Sequence, residues 1–242
     1  MYGWRARIGS IAATPTDVFP YEFYQILPDG FSIVQTTLTI DRVEEDELNQ
    51  AYEEIKGIAL TMAQGGVDII VLGGAPMVFM RGPGSDRVLS DEIGELTGVP
   101  VLANQTAMMD GLKSLGCRRI LVASPFVPET NAKLKTFLEG SGFEVVGTAG
   151  LGLVKNADIN KVTRQRAYHF LRAAVEEHRS EKPEGVVVPC AHWPTSLLVD
   201  KWERDLGIPV VTSNLAKIWA ALRILGIKPP ISGYGRLLGQ ES

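Results

Sequence analysis

Short β-branched runs alternate with helix-period segments from one end of the chain to the other. Eight runs read as strands: 7–13, 31–38, 67–72 and 99–102 in the first half, then 119–123, 144–148, 185–188 and 208–211 in the second. Helical patterns fill the intervals at 44–64, 86–96, 106–115, 129–141, 155–177, 195–206 and 215–225. Gly65, Gly116, Gly142, Gly207 and Gly226 stand where C-terminal caps belong. Such an alternation predicts an α/β fold of parallel sheets covered by helices on both faces.

The two halves echo each other. Val99-Pro-Val-Leu and a helix ending at Gly116 match Ile208-Pro-Val-Val and a helix ending at Gly226, with one residue of slip. Arg7-Ile-Gly-Ser-Ile-Ala-Ala-Thr-Pro15 likewise matches Arg119-Ile-Leu-Val-Ala-Ser-Pro125, and the run from Val67 to Gly74 matches the run from Glu184 to Cys190. Two similar doubly wound units are therefore expected, each with a four-stranded parallel sheet and related by a pseudo-two-fold. The first unit takes residues 1–116 with a returning tail of 227–242, and the second takes 117–226. Ligands of open α/β sheets bind beyond the carboxyl ends of the strands. The expected site is thus a cleft between the units, lined by loops 14–16, 73–77, 124–127 and 190–193.

Composition narrows the chemistry mainly by exclusion. The 242 residues carry a net charge of −4 with scattered Lys and Arg, which argues against nucleic acid as a partner. Only two cysteines occur, and no Cys/His cluster has zinc-site spacing, so neither a disulfide framework nor a metal is expected. No apolar stretch is long enough for a membrane span and no signal core precedes the first strand, so a cytoplasmic protein is expected.

Cys190 is the leading candidate for chemistry. It ends a buried-type strand in Gly185-Val-Val-Val-Pro-Cys-Ala-His-Trp-Pro-Thr195, where a βα loop turns into a helix. Backbone N–H groups and the positive end of a helix dipole there favour the thiolate. His192 is the histidine near this loop, read either as a general acid or carboxylate orienter or as a plain helix contact. Thr14, Thr16, Ser124 and Thr195 offer hydroxyls. Cys117 begins a strand away from the four loops and reads as structural, while His169 and His178 fall in a charged helical stretch and read as solvated. The segment Gly82-Pro-Gly-Ser-Asp-Arg87 lacks the Lys-Ser/Thr ending of a phosphate loop. It reads instead as a lid-like loop capping the next helix through Ser85 or Asp86, from which Arg81 or Arg87 meets a carboxylate. Met77, Phe79 and Met80 are either core or the apolar wall of the pocket, in the second case with Phe126 and Trp193.

These features resemble the aspartate/glutamate racemase superfamily, and within it the branch of arylmalonate decarboxylase and maleate cis-trans isomerase. The resemblance rests on Gly73-Gly-Ala-Pro76 and Cys190 at paired strand ends, on Ser124-Pro-Phe-Val-Pro-Glu-Thr-Asn131, and on Pro209-Val-Val-Thr-Ser-Asn-Leu-Ala216 followed by Trp219. It implies cofactor-free proton chemistry beside a carboxylate, with a small carboxylate as substrate. Together with exposed apolar helix faces, it also points to a homodimer.

Racemases and isomerases of the superfamily carry a cysteine at both paired positions, whereas here Gly74 holds the first and Cys190 the second. That asymmetry resembles the decarboxylase, which protonates an enediolate from one face with one thiol. The cleft loops place substrate binding at Thr14, Pro15 and Ser124, and the resemblance adds Gly74, Ala75, Pro76, Phe126, Asn156 and Ala191. Two departures stand out. Ala75 and Phe126 lack the hydroxyls of the decarboxylase cradle, and Pro76 lacks its N–H. Asn156 instead resembles a substrate-binding asparagine of the isomerases. The function implied is decarboxylation of a substituted malonate, with isomerisation or racemisation of a dicarboxylic or amino acid as the alternative. Non-catalytic carboxylate binding is the third reading.

Overall fold

The expected strands assemble into two parallel sheets of four. The computed structural model describes residues 2–38, 45–73, 81–227 and 231–240. β1 (Ala6–Ala12), β2 (Phe31–Thr37), β3 (Ile69–Leu72) and β4 (Val101–Ala103) run in the order β2-β1-β3-β4. β5 (Arg119–Ser124), β6 (Glu144–Gly150), β7 (Gly185–Val188) and β8 (Val210–Thr212) repeat it as β6-β5-β7-β8. Both β3 and β7 are buried along their whole length, which is why their sequences are continuously apolar rather than alternating. In each sheet the winding reverses between the two middle strands, and a crevice opens at such a switch point.

The helices are α1 (Val18–Ile26), α2 (Glu45–Gln64), α3 (Ser85–Thr97), α4 (Asn104–Ser114), α5 (Pro128–Gly140), α6 (Asn156–Asn160), α7 (Arg164–Glu177), α8 (Val199–Leu206), α9 (Ser213–Ile224) and α10 (Arg236–Gly239). No helix among the described residues is long and apolar enough to cross a membrane.

Three differences from the expected elements have local causes. Helix α1 escapes the sequence pattern because Pro20 looks like a breaker; it occupies the third helical residue, whose N–H has no partner inside a helix anyway. The expected helix 155–177 divides in two, since Thr163 caps α7 by accepting a hydrogen bond from Arg166 N at 3.2 Å. Helix α3 is capped by neither Ser85 nor Asp86. Gly84 stands at its N-cap with φ 87°, Ser85 Oγ donates to Gly82 O, and buried Asp86 accepts from Thr106 Oγ1.

The two units meet through equivalent helices. α4 follows β4 and α9 follows β8, and the two pack against each other as a pseudo-two-fold requires. Their first residues join, Ser213 Oγ donating to Asn104 Oδ1 at 2.7 Å. The tail reaches both units: Tyr234 Oη bonds to Gln25 O, while Arg236 N donates to Glu203 Oε2 at 2.7 Å.

Candidate active site

Residues 190–193 turn tightly away from β7. The N–H of Cys190 donates to Val188 O at 3.1 Å, and that of Trp193 lies 3.4 Å from Cys190 O. Backbone N–H groups of His192 and Trp193 also point at the sulfur and favour the thiolate, as expected of this turn. Burial outweighs them. Cys190 is 7% exposed, and desolvation pushes its thiol up to about 12 despite those amides and the nearby Lys217 ammonium. The expected thiolate is therefore a neutral thiol at neutral pH, a proton donor in its resting state.

A narrow cleft of about 20 Å³, room for about one water molecule, lies beside this turn. Its walls are the carboxyl ends of β1 and β3 (Ser10, Ala12, Gly73), the loop after β1 with Thr16, Phe19 of α1, Gln35 of β2, Ala191 and His192, and Lys217 of α9. It opens at the β1/β3 switch point of the first sheet, with the second unit closing it. Cys190 precedes the lining residue Ala191 directly and is itself nearly buried.

Two members of the site were not anticipated from the sequence. Lys217 is 3% exposed, with Nζ 3.5 Å from the centroid of the Phe19 ring. Burial pulls its pKa down to about 7, against the opposing pull of Glu22 and Cys190. Glu22 of α1, 2% exposed, accepts from Ser196 N (2.8 Å), Ser196 Oγ (2.7 Å) and Asn214 Nδ2 (2.7 Å). Desolvation raises its pKa even so. Asn214 Nδ2 also donates to Ala191 O at 3.1 Å, so a carboxylate of the first unit fixes the cysteine turn of the second. The one signal for Lys217 was a lone lysine inside the apolar run of α9. Glu22 lay in a helix that the pattern missed.

His192 is 7% exposed, and its Nε2 lies 3.2 Å from Thr14 Oγ1, which accepts from Asn156 Nδ2 at 3.0 Å. With Asn156 donating to Thr14, the Thr14 hydrogen is free to go to Nε2; this assignment leaves the imidazole proton on Nδ1, which has no partner among the described residues. Desolvation first, and Lys217 second, pull the His192 pKa down to about 4. At pH 7 it is a neutral hydrogen-bonding group, not an imidazolium acid. A base with a depressed folded pKa loses stability as pH falls through the window between its unfolded and folded values, here about 6.5 to 4. Across that window the wild type is expected to lose ~3 kcal/mol more unfolding free energy than His192→Asn. Urea titrations of both proteins at pH 4 to 7 check this, and the difference removes the opposite contribution of Glu22.

Other anticipated residues divide clearly. Thr14, Asn156 and His192 come together, and Thr16 and Ala191 join the cleft wall. Pro15 is exposed. Ser124 is fully buried, donating to Asn131 Oδ1 at 2.6 Å and accepting from Phe126 N at 3.1 Å, so its hydroxyl has no capacity to donate to a substrate. Phe126 is half-buried against the core and does not line the cleft. Trp193 is wholly buried against Phe170 rather than forming a wall, and Thr195 Oγ1 is taken by Trp193 O. Arg87 pairs with Asp110 at the surface, and Arg81 stacks over Tyr52. His178, expected in solvent, packs on Gly147 of β6, where an added Cβ would meet its ring at 2.0 Å. Buried Cys117 lies against Glu184 O. Gly74, Ala75, Pro76, Met77, Phe79 and Met80 lie outside the described residues.

Twin parallel sheets of identical winding, with a cleft between them, define the class as a doubled α/β protein. A family profile for arylmalonate decarboxylase matches residues 8–238, and the chain belongs to that family. It is 26% identical over 238 residues to an arylmalonate decarboxylase of Bordetella bronchiseptica, covering 97% of each chain. It is 25% identical over 217 residues to a maleate isomerase of Nocardia farcinica, covering 88% of this chain and 85% of the relative. The solved arylmalonate decarboxylase in a sulfate-associated variant form superposes with a TM-score of 0.84 at 26% identity, covering 97% of this chain and 100% of that one. Family members are thus enzymes named for decarboxylation or for isomerisation.

Proposed function

We propose that the protein is a cofactor-independent lyase that decarboxylates a small substituted malonate, with Cys190 giving its proton to one face of the resulting enediolate. The carrying observation is a lone thiol, neutral at rest, at the end of β7, while glycine fills the paired position at Gly74. A racemase or isomerase of the two-thiol type needs a second sulfur and a thiolate to start. A decarboxylase needs only a proton donor, and a neutral thiol is a far stronger acid than the α-carbon of a carboxylate. Thr14, Asn156 and His192 orient the substrate at the mouth of the cleft. No cofactor enters the scheme. A homodimer and a cytoplasmic location belong to the same proposal, the former read by sedimentation velocity.

Asn156, hydrogen-bonded to Thr14, supports a second reading as an isomerase of a cis dicarboxylate. Incubation in deuterated water with phenylmalonate and, separately, with maleate separates the two. Expected are carbon dioxide and one deuterium at the α-carbon of phenylacetate, with maleate unchanged. Fumarate formed from maleate without carbon dioxide would move the assignment to the isomerases.

A further inference from the structure

Lys217 has no place in the chemistry just described, yet its surroundings are those of a ligand-binding group. An ammonium carries three donors. Among the described residues Nζ makes no hydrogen bond; it meets only the face of Phe19, with Glu22 and Cys190 acting on it through space. Glu22 is already occupied by Ser196 and Asn214. The cleft that Lys217 lines also holds two buried polar atoms without partners among the described residues, Gln35 Oε1 and His192 Nδ1. Buried polar groups are rarely left so, and several around one cavity mark the place of a bound polar molecule.

The internal duplication shows that the fold itself does not need this charge. Positions 107 and 108 of α4 match position 217 of α9 in the repeat, and they are Ala107 and Met108, both buried and apolar. A lysine kept from solvent in one copy alone, with its ammonium at the carboxyl ends of β1 and β3, is placed for a ligand rather than for packing.

We propose that Lys217 is the carboxylate-holding cation of the cleft, binding one carboxylate of the dianionic substrate in place of the hydroxyl cradle absent at Ala75 and Phe126. His192 Nδ1–H adds a neutral donor on the same ligand. This assignment rests on the reading of the cleft as a carboxylate site and is independent of the role of Cys190. It also fits a charge requirement, since an anion entering this cleft otherwise meets, among the described residues, only neutral groups and Glu22.

Phenylmalonate affinity tests the assignment on the full chain, read by calorimetry in the Cys190→Ala background, where turnover does not consume the ligand, and as KM where Cys190 is kept, with phenylacetate as the monoanion control. Lys217→Met is expected to weaken phenylmalonate binding roughly 10- to 100-fold, the loss of a charge-assisted hydrogen bond. Cys190→Ala is expected to stay near the wild-type affinity. The titratable groups facing Lys217 are Glu22 from α1 and Cys190 and His192 from the turn after β7. β3, β4 and β8 bring none, Asp110 and Lys113 of α4 are engaged with Arg87 and the Phe143 ring, and Arg236 of α10 lies by Glu203. Wild-type affinity should therefore fall as pH rises from 6 to 9, while Lys217→Arg should show a flat profile.

Unchanged phenylmalonate affinity in a folded Lys217→Met protein overturns the assignment. Should that variant not fold, a wild-type affinity independent of pH overturns it equally. Borohydride trapping of a 2-oxo acid on Lys217 would do the same, by making the residue a nucleophilic amine. Binding that depends on Lys217 while Cys190→Ala retains full turnover would sink the lyase mechanism and leave the carboxylate site standing.

Discussion

Cys190→Ala is expected to lower turnover of a malonate substrate by roughly 10²- to 10⁴-fold, the usual worth of a positioned proton donor. The size follows from geometry. Of the two thiols, only Cys190 stands near the cleft; Cys117 is buried beside Glu184 at the opposite end of the strands. His192 is neutral, and so cannot substitute as an imidazolium. Substrate affinity should barely change, because a nearly buried neutral thiol contributes little to ground-state binding. Steady-state kinetics read the split as a fall in kcat at nearly constant KM. Full activity in the alanine variant would remove the thiol from the mechanism.

The second large effect is on stability. Glu22→Ala removes the acceptor of three hydrogen bonds and leaves Ser196 N, Ser196 Oγ and Asn214 Nδ2 as buried donors. It also removes the acidic group that holds the Lys217 pKa up against burial. Breaking a buried network from one side costs about 3–5 kcal/mol, because the partners stay desolvated. Glu22→Gln keeps the shape and one acceptor oxygen and should cost about 1–2 kcal/mol. Urea unfolding measures both. The turn carrying Cys190 should loosen as well, since Asn214 bridges Glu22 and Ala191 O; faster amide exchange at residues 191–193 is the accompanying sign.

The strands were legible because their burial on both faces leaves runs such as Gly185-Val-Val-Val188 with no alternative reading. Their pairing was legible because the chain repeats itself: Val99-Pro-Val-Leu and Ile208-Pro-Val-Val occupy the same place in two sheets of the same order. Helix α1 was not legible, since a proline in a first turn and a proline in a loop look alike in sequence. Ser124 and Trp193 were placed on the site by position along the chain, which reveals neither the Asn131 partner of the one nor the Phe170 packing of the other. Lys217 and Glu22 were invisible for a related reason. A charged residue in an apolar stretch reads as the edge of a solvated face until its neighbours are known.

The sequence by itself determined the doubled α/β architecture and the strand end that carries Cys190, while Asn156 entered only through the resemblance to the isomerases. Periodicity and repetition are local, and they survive in the linear order of residues. Only the tertiary structure decided the charge states: a thiol held neutral, a histidine held neutral, and a lysine kept from water beside them. Those depend on desolvation and on partners such as Ser196 and Glu22, which are 174 residues apart in the chain and in contact only when it is folded.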